Sequence, residues 1–154
     1  MKAMILVLLL AASPAFAGTT TFGCQGTTLL GGSLKIENNL FLSSRVTFVD
    51  RLPSEFKWTG KEPKVSLEEV SAELADLSRR GAKVIGVESL QGPAKTFTVF
   101  ESKTNLGLVK LNEKLYVESG LLDGTLTGGQ VIYSSVGWAA DTGNESTALI
   151  TNCR

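Results

Sequence analysis

Two cysteines stand near opposite ends of this chain, Cys24 and Cys153, and there is no histidine anywhere in it. A bond between the two would oblige any fold to bring its first and last strands side by side, because disulfide geometry holds the paired backbones close together. In the chain-entropy picture a loop this long is worth about 5 kcal/mol at most, less any strain. Redox pairs usually sit two residues apart at a helix start, so the expected role of Cys24 and Cys153 is structural.

The first seventeen residues supply a compartment in which the pair oxidises. Met1-Lys2 leads into an apolar run from Ala3 to Ala12, followed by Ser13-Pro14-Ala15-Phe16-Ala17, which is the charged start, hydrophobic stretch and Ala-x-Ala site of a secretory leader. The run is far shorter than the roughly 20 residues that span a bilayer. Cys24 follows Thr20-Thr21-Phe22-Gly23, which is not a lipid-attachment sequence. Residues 1–17 are therefore expected to be a signal peptide and 18–154 a single globular domain. Bacterial Sec-type export to the periplasm or the medium is expected, with no membrane span after cleavage.

Removing the leader takes Met1, Lys2 and Met4 with it and leaves 14 basic and 15 acidic side chains. The basic residues are scattered, with Arg79-Arg80 the only adjacent pair, so a nucleic-acid partner is not expected. Without histidine there is no side chain poised to titrate near neutral pH. With the cysteines paired, the usual zinc and copper ligands are also gone. Catalysis would have to use carboxylates, Lys, Tyr or Ser, and no catalytic, cofactor-binding or metal-binding residues are assigned.

Polar and apolar residues alternate with a period of two along most of the chain. Ser33–Glu37, Arg45–Val49 and Ala94–Val99 read as half-buried strands, with Asn38-Asn39 turning into Leu40–Leu42. Leu106–Leu111 and Lys114–Ser119 read as a hairpin turning at Asn112-Glu113, and Gln130–Ala140 and Glu145–Cys153 as a second one turning at Asp141–Asn144. One segment has a different period. Ser66-Leu67-Glu68-Glu69 is a capping box flanked by Val65 and Val70 as a staple. Leu67, Val70, Leu74 and Leu77 then share one face, and Gly81 is placed to end the helix in a left-handed conformation. A helix over about 67–80 is expected, followed by a strand at Lys83–Val87.

A strand at Val46–Val49, the helix and a strand at Val84–Val87 fit a parallel crossover, but no glycine-rich phosphate turn lies between strand and helix. The expected fold is mainly β (α+β): an antiparallel sandwich or small barrel of about eight to ten short strands with one amphipathic helix packed on it. Arg51–Lys64, with Pro53, Pro63 and Trp58, reads as a long surface loop.

Trp58, in that polar stretch, is the residue singled out for a ligand or partner contact. Tyr133 and Trp138 fall in an alternating strand and read as core. Glu68, Glu69, Glu73 and Asp76 form an acidic helix face that reads as solvated, with Glu69 capping and Asp76 pairing with Arg80. Ser54-Glu55-Phe56-Lys57 fits the Ser-x-x-Lys pattern of penicillin-recognising enzymes, but the companion Ser-Asp-Asn and Lys-Thr-Gly motifs are missing. Asn144-Glu145-Ser146 is a glycosylation sequon, meaningful in a eukaryotic host.

Phe22-x-Cys24 near the start, with Trp138, Gly143, Glu145 and Ile150-Thr151-Asn152-Cys153 near the end, resembles the small periplasmic inhibitors of c-type lysozyme over some thirty residues. That resemblance implies an exported barrel of about eight strands with a disulfide joining its end regions. This chain is longer, has a helix the family lacks and does not contain the family's Ser-Gly-x-x-Tyr loop, so no site residues carry over.

The favoured expectation is an exported non-enzymatic binding or interaction protein, taking an apolar or mixed ligand in a cavity or presenting a loop to a protein partner. The alternatives are a carbohydrate or cell-wall hydrolase working through two carboxylates, as glycosidases do without histidine, and an inhibitor of c-type lysozyme.

Overall fold

The computed structural model describes residues 18–25, 32–40 and 42–154, so the expected leader lies outside the described residues. In chain order the elements are β1 (Gly18–Cys24), β2 (Gly32–Asn38), β3 (Ser44–Val49), β4 (Pro53–Trp58), β5 (Lys64–Ser66), α1 (Leu67–Arg79), β6 (Lys83–Ile85), β7 (Thr96–Asn105), β8 (Val109–Glu118), α2 (Ser119–Asp123), β9 (Gly129–Ala139) and β10 (Gly143–Cys153). A single 3-10 turn at Val87–Ser89 follows β6. The strands form one sheet in the order β4-β3-β2-β1-β10-β9-β8-β7-β5, and β6 adds in parallel to β10. The chain is thus a mainly antiparallel β protein with one main helix on the sheet. The sheet is not closed, since β4 and β5 end it on either side.

The alternation of the sequence builds the core. β1 buries Phe22 and Cys24, β2 Leu34 and Ile36, β3 Val46 and Phe48, and β4 Phe56. Their pairing is in step, with Leu34 opposite Phe48 and Ile36 opposite Val46, because a slip by one residue would turn every apolar side chain outward. The sheet curls so that this half lies over the inner face of β7–β10. The rings of Phe56 and Phe100 sit 6.3 Å apart and those of Phe48 and Tyr133 5.7 Å apart. Phe22, Leu34, Phe48, Phe56, Phe100, Leu115 and Val131 fill the space between the halves.

The other face of β7–β10 is covered by α1. Val70, Leu74 and Leu77 pack on Phe97, Val99, Tyr116, Ile132 and Ile150, so these strands are apolar on both faces. The capping box forms as the sequence reads: Ser66 Oγ accepts from Glu69 N–H and Glu69 accepts from Ser66 N–H. Gly81 follows the C-cap Arg80 with φ +93°, the left-handed conformation that suits glycine.

Cys24 and Cys153 are bonded, with Cα atoms 4.0 Å apart, and they are the pair through which the β1 and β10 ladders register. Further main-chain bonds join Gly23 with Arg154 and Gln25 with Asn152. Below this junction the same edge of β10 is taken by β6, with Ala148 opposite Val84.

Several segments differ from the sequence reading. The hairpin expected to turn at Asn112-Glu113 turns at Leu106–Leu108, closed by Leu106 N–H to Val109 O, with Gly107 at φ +77°. Asn112 and Glu113 run through the middle of β8, because neither residue has to leave the extended backbone while a glycine takes the turn. Residues expected to form the loop Arg51–Lys64 include β4, an edge strand whose Phe56 is buried opposite Val46 while Glu55 and Lys57 face out. Leu40 and Leu42 are exposed in the β2–β3 connection, and β3 begins at Ser44. Strand β6 stops at Ile85, because Gly86 turns the chain at φ +84°.

Candidate functional site

A cleft of about 600 Å³ opens where the β3–β4 turn overhangs β8, β9 and β10. Its floor is the inner face of the sheet, on which two cross-strand rows follow from the register. Phe100, Leu115, Tyr133 and Leu149 form an apolar row, and Ser102, Glu113, Ser135 and Thr147 form the polar row beside it. The β3–β4 turn brings Asp50, Arg51, Leu52 and Ser54 over this floor.

Glu113 is the centre of the polar contacts. Its Oε1 accepts from Ser54 Oγ at 2.8 Å and from Tyr133 Oη at 2.5 Å, so the carboxylate joins β4 to β8 and β9 across the sandwich. Its Oε2 has no hydrogen-bond partner among the described residues. Burial pushes the Tyr133 hydroxyl up to about 12, with the bond to Glu113 adding to the shift. The phenol is therefore a neutral donor at any ordinary pH. Asp50 lies in the same cleft, and its Oδ1 is buried without a hydrogen-bond partner. Glu145 also lines the cleft, as do Arg51 and Lys83. The cleft therefore combines an apolar base of Phe48, Tyr133 and Leu149 with the carboxylates of Asp50, Glu113 and Glu145 and the cations Arg51 and Lys83.

A second cleft, of about 840 Å³, lies at the far end of the sandwich between β1, β2 and α2, over Phe22, Ile36, Leu121 and Leu122. Its lining is mostly apolar and hydroxyl side chains, with Asp123 and Arg154 as its charged members. Its rim at Leu40 adjoins residue 41, outside the described residues.

Trp58, the residue singled out from the sequence, ends β4 half-buried, opposite Ser44, and packs against the core between the halves of the sheet. The more exposed indole is Trp138. It was expected in the core but is 41% exposed, because its row on the sheet lies beyond the end of α1. Tyr133 packs against the core as expected and also points its hydroxyl at Glu113. The acidic face of α1 is mostly paired: Glu69 caps, Asp76 meets Arg80 at 2.7 Å, and Glu73 meets Lys114 of β8 at 2.6 Å. Ser54 and Lys57 lie on opposite faces of β4, since three residues along a strand reverse the side, and Ser54 bonds Glu113 instead. Among the described residues no group of three or more His, Cys, Asp and Glu is placed to hold a metal ion.

No family model, curated protein or solved structure matches this chain.

Sequence reasoning passed over Glu113 and Asp50. A signal for Glu113 was nevertheless present. Val109, Leu111, Leu115 and Val117 alternate as one inward face, and Glu113 is the acid set among them. An acid on an apolar face has to find hydrogen-bond donors or line a cleft, and this one does both.

Proposed function

We propose that the protein is an exported, non-enzymatic binding module that takes a small polyhydroxylated ligand, a sugar or sugar-like group, in the cleft at Glu113. The observation that carries this reading is the pairing of free acceptors with an apolar base. Glu113 Oε2 accepts no hydrogen bond among the described residues and is not buried, so it is open to a ligand hydroxyl, and the carboxylates of Asp50 and Glu145 line the same cleft. The ring and C–H faces of such a ligand fit the Tyr133, Phe48 and Leu149 surface. A bare cation fits less well, because Arg51 and Lys83 offset the acidic charge. The disulfide is in keeping with an oxidising compartment.

A carboxylate-dependent hydrolase is the second reading, favoured by one specific observation: Asp50, Glu113 and Glu145 line a single cleft. The two readings share a ligand class and differ in outcome. Titration calorimetry against mono- and oligosaccharides, including peptidoglycan fragments, should find a ligand whose affinity falls by about tenfold or more in Glu113→Gln, which keeps the shape and removes the charged acceptor. Release of new reducing ends, abolished by the same substitution, would transfer the case to the hydrolase. Absence of binding across the panel, or binding indifferent to Glu113→Gln, would remove the cleft from consideration.

A further inference from the structure

The β7–β8 and β9–β10 hairpins end side by side, tied by Ala140 N–H to Leu108 O at 3.0 Å. The first turn projects Leu106 and Leu108, which are 74% and 71% exposed. Its backbone is fixed from within: Leu106 N–H bonds Val109 O, Leu108 N–H bonds Leu106 O, and Gly107 N–H bonds Asn105 Oδ1. Two large apolar side chains are thus held out on a well-bonded turn.

Behind the tip, the face of the sheet that carries α1 farther along is open. The register gives two cross-strand rows there: Asn105, Lys110, Trp138 and Asn144, then Lys103, Asn112, Val136 and Ser146. Lys110 Nζ lies 5.9 Å from the centre of the Trp138 ring. Neither Lys103 nor Lys110 has a salt bridge among the described residues, whereas Lys114, one row nearer the helix, is held by Glu73 and Glu101. Moving away from α1, the face therefore changes from apolar core to ion pairs, then to free lysines with an indole, and finally to exposed leucines.

We propose that this end of the molecule docks on the surface of an anionic lipid bilayer, with Leu106 and Leu108 inserted among the acyl chains, Trp138 at the headgroup level, and Lys103 and Lys110 against lipid phosphates. The order of chemistries along the protein axis matches that of a bilayer surface met from outside: apolar tip, amphipathic indole, cations. Of the acids at this end, Asp141 lies in the neighbouring turn and Glu145 alternates to the opposite face of β10, so Lys103 and Lys110 set the charge of the face that carries Trp138. A protein partner is less well suited, because the exposed apolar side chains here, Leu106, Leu108, Val109, Val136 and Trp138, still fall short of the ~800 Å² per side of a stable interface. Among the described residues no helix is long and apolar enough to cross a membrane.

The test uses the disulfide-bonded chain beginning at Gly18, which contains all the elements described above, and sedimentation with vesicles of phosphatidylcholine alone or with phosphatidylglycerol added. The protein should pellet with the phosphatidylglycerol vesicles. Leu106→Ser/Leu108→Ser should reduce partition about tenfold or more. Lys103→Glu/Lys110→Glu should reduce it by a similar factor on the anionic vesicles only. In a Trp58→Phe background the remaining Trp138 emission should shift to the blue on binding. All four positions are exposed surface, so unchanged circular dichroism is expected and separates lost docking from lost folding. Failure to pellet with either vesicle, pelleting unaffected by Leu106→Ser/Leu108→Ser, or a lipid-free dimer dissolved by that pair of changes would each overturn the proposal.

Discussion

Glu113 accepts two hydrogen bonds on one oxygen, and one of the donors is a phenol that burial keeps protonated up to about pH 12. Removing that hydroxyl with Tyr133→Phe leaves Glu113 with Ser54 alone and should cost about 1.5–3 kcal/mol in urea unfolding, the range for a bond to a charged group. The sign of its pH dependence follows from the raised value. The neutral phenol is favoured in the folded state, so its contribution is complete below the unfolded value near 10 and is lost as pH rises through about 12. Tyr133→Phe should therefore flatten the alkaline limb of the stability profile, and an unchanged limb would show that Tyr133 does not govern it. Gly86 makes a different kind of residue-scale demand. It sits at φ +84°, and an added Cβ would lie 2.6 Å from the Ile150 carbonyl oxygen. Gly86→Ala is expected to lower the denaturant midpoint by the equivalent of about 2 kcal/mol or more, through strain and clash together.

Among the elements, α1 is specified twice, once by its own ends and once by the sheet beneath it. The Ser66 cap supports the N-terminus, and Ser66→Ala should cost about 1 kcal/mol by thermal or urea unfolding. Glu73 and Lys114 then fasten the helix to β8. Burial alone would raise the Glu73 carboxyl, but hydrogen bonding from Lys114 and the nearby Tyr116 hydroxyl outweighs it and holds the group below its ordinary value. Tyr116 Oη itself is buried without a partner at full hydrogen-bonding geometry. Lys114 is held above its ordinary value: burial opposes its charge, and the bond to Glu73 overcomes that. The pair's contribution is therefore lost on two sides, as pH falls below the ordinary carboxyl range and as it rises past the ordinary lysine range.

For the whole molecule, the two halves of the sheet are joined along the chain and at the β1–β10 seam, where the disulfide sits. Cys24→Ser/Cys153→Ser should lose up to about 5 kcal/mol. Hydrogen exchange should show protection falling first in β1, while β7–β9, buried on both faces, keep theirs. Equal loss in all strands would mean the seam is not an independent weak line. With no histidine in the chain, and carboxylates such as Glu73 and Asp123 held low while Lys114 and Tyr133 are held high, stability should be flat from roughly pH 5 to 9. Denaturant midpoints across that range would check it, and a step near pH 6.5 would contradict it.

The local chemistry was legible in the residues themselves. The capping box, Gly81, the period-two strands at β2, β3, β9 and β10 and the Cys24–Cys153 pair all depend on neighbours in sequence or on redox chemistry, and the structure has them where the residues say. The placement of the hairpin at Leu106–Leu108 rather than Asn112-Glu113 was not legible, because both stretches hold turn-forming residues and only the register against β9 and across the sandwich chooses between them. The same holds for Trp138 and Trp58, whose exposures depend on where α1 ends over the sheet and on β4 folding across the core. The cleft at Glu113 belongs wholly to tertiary structure: Asp50 and Ser54 come from the β3–β4 hairpin, Glu113 from β8 and Tyr133 from β9, and nothing in one stretch encodes its distance to another until the curled sheet brings them together.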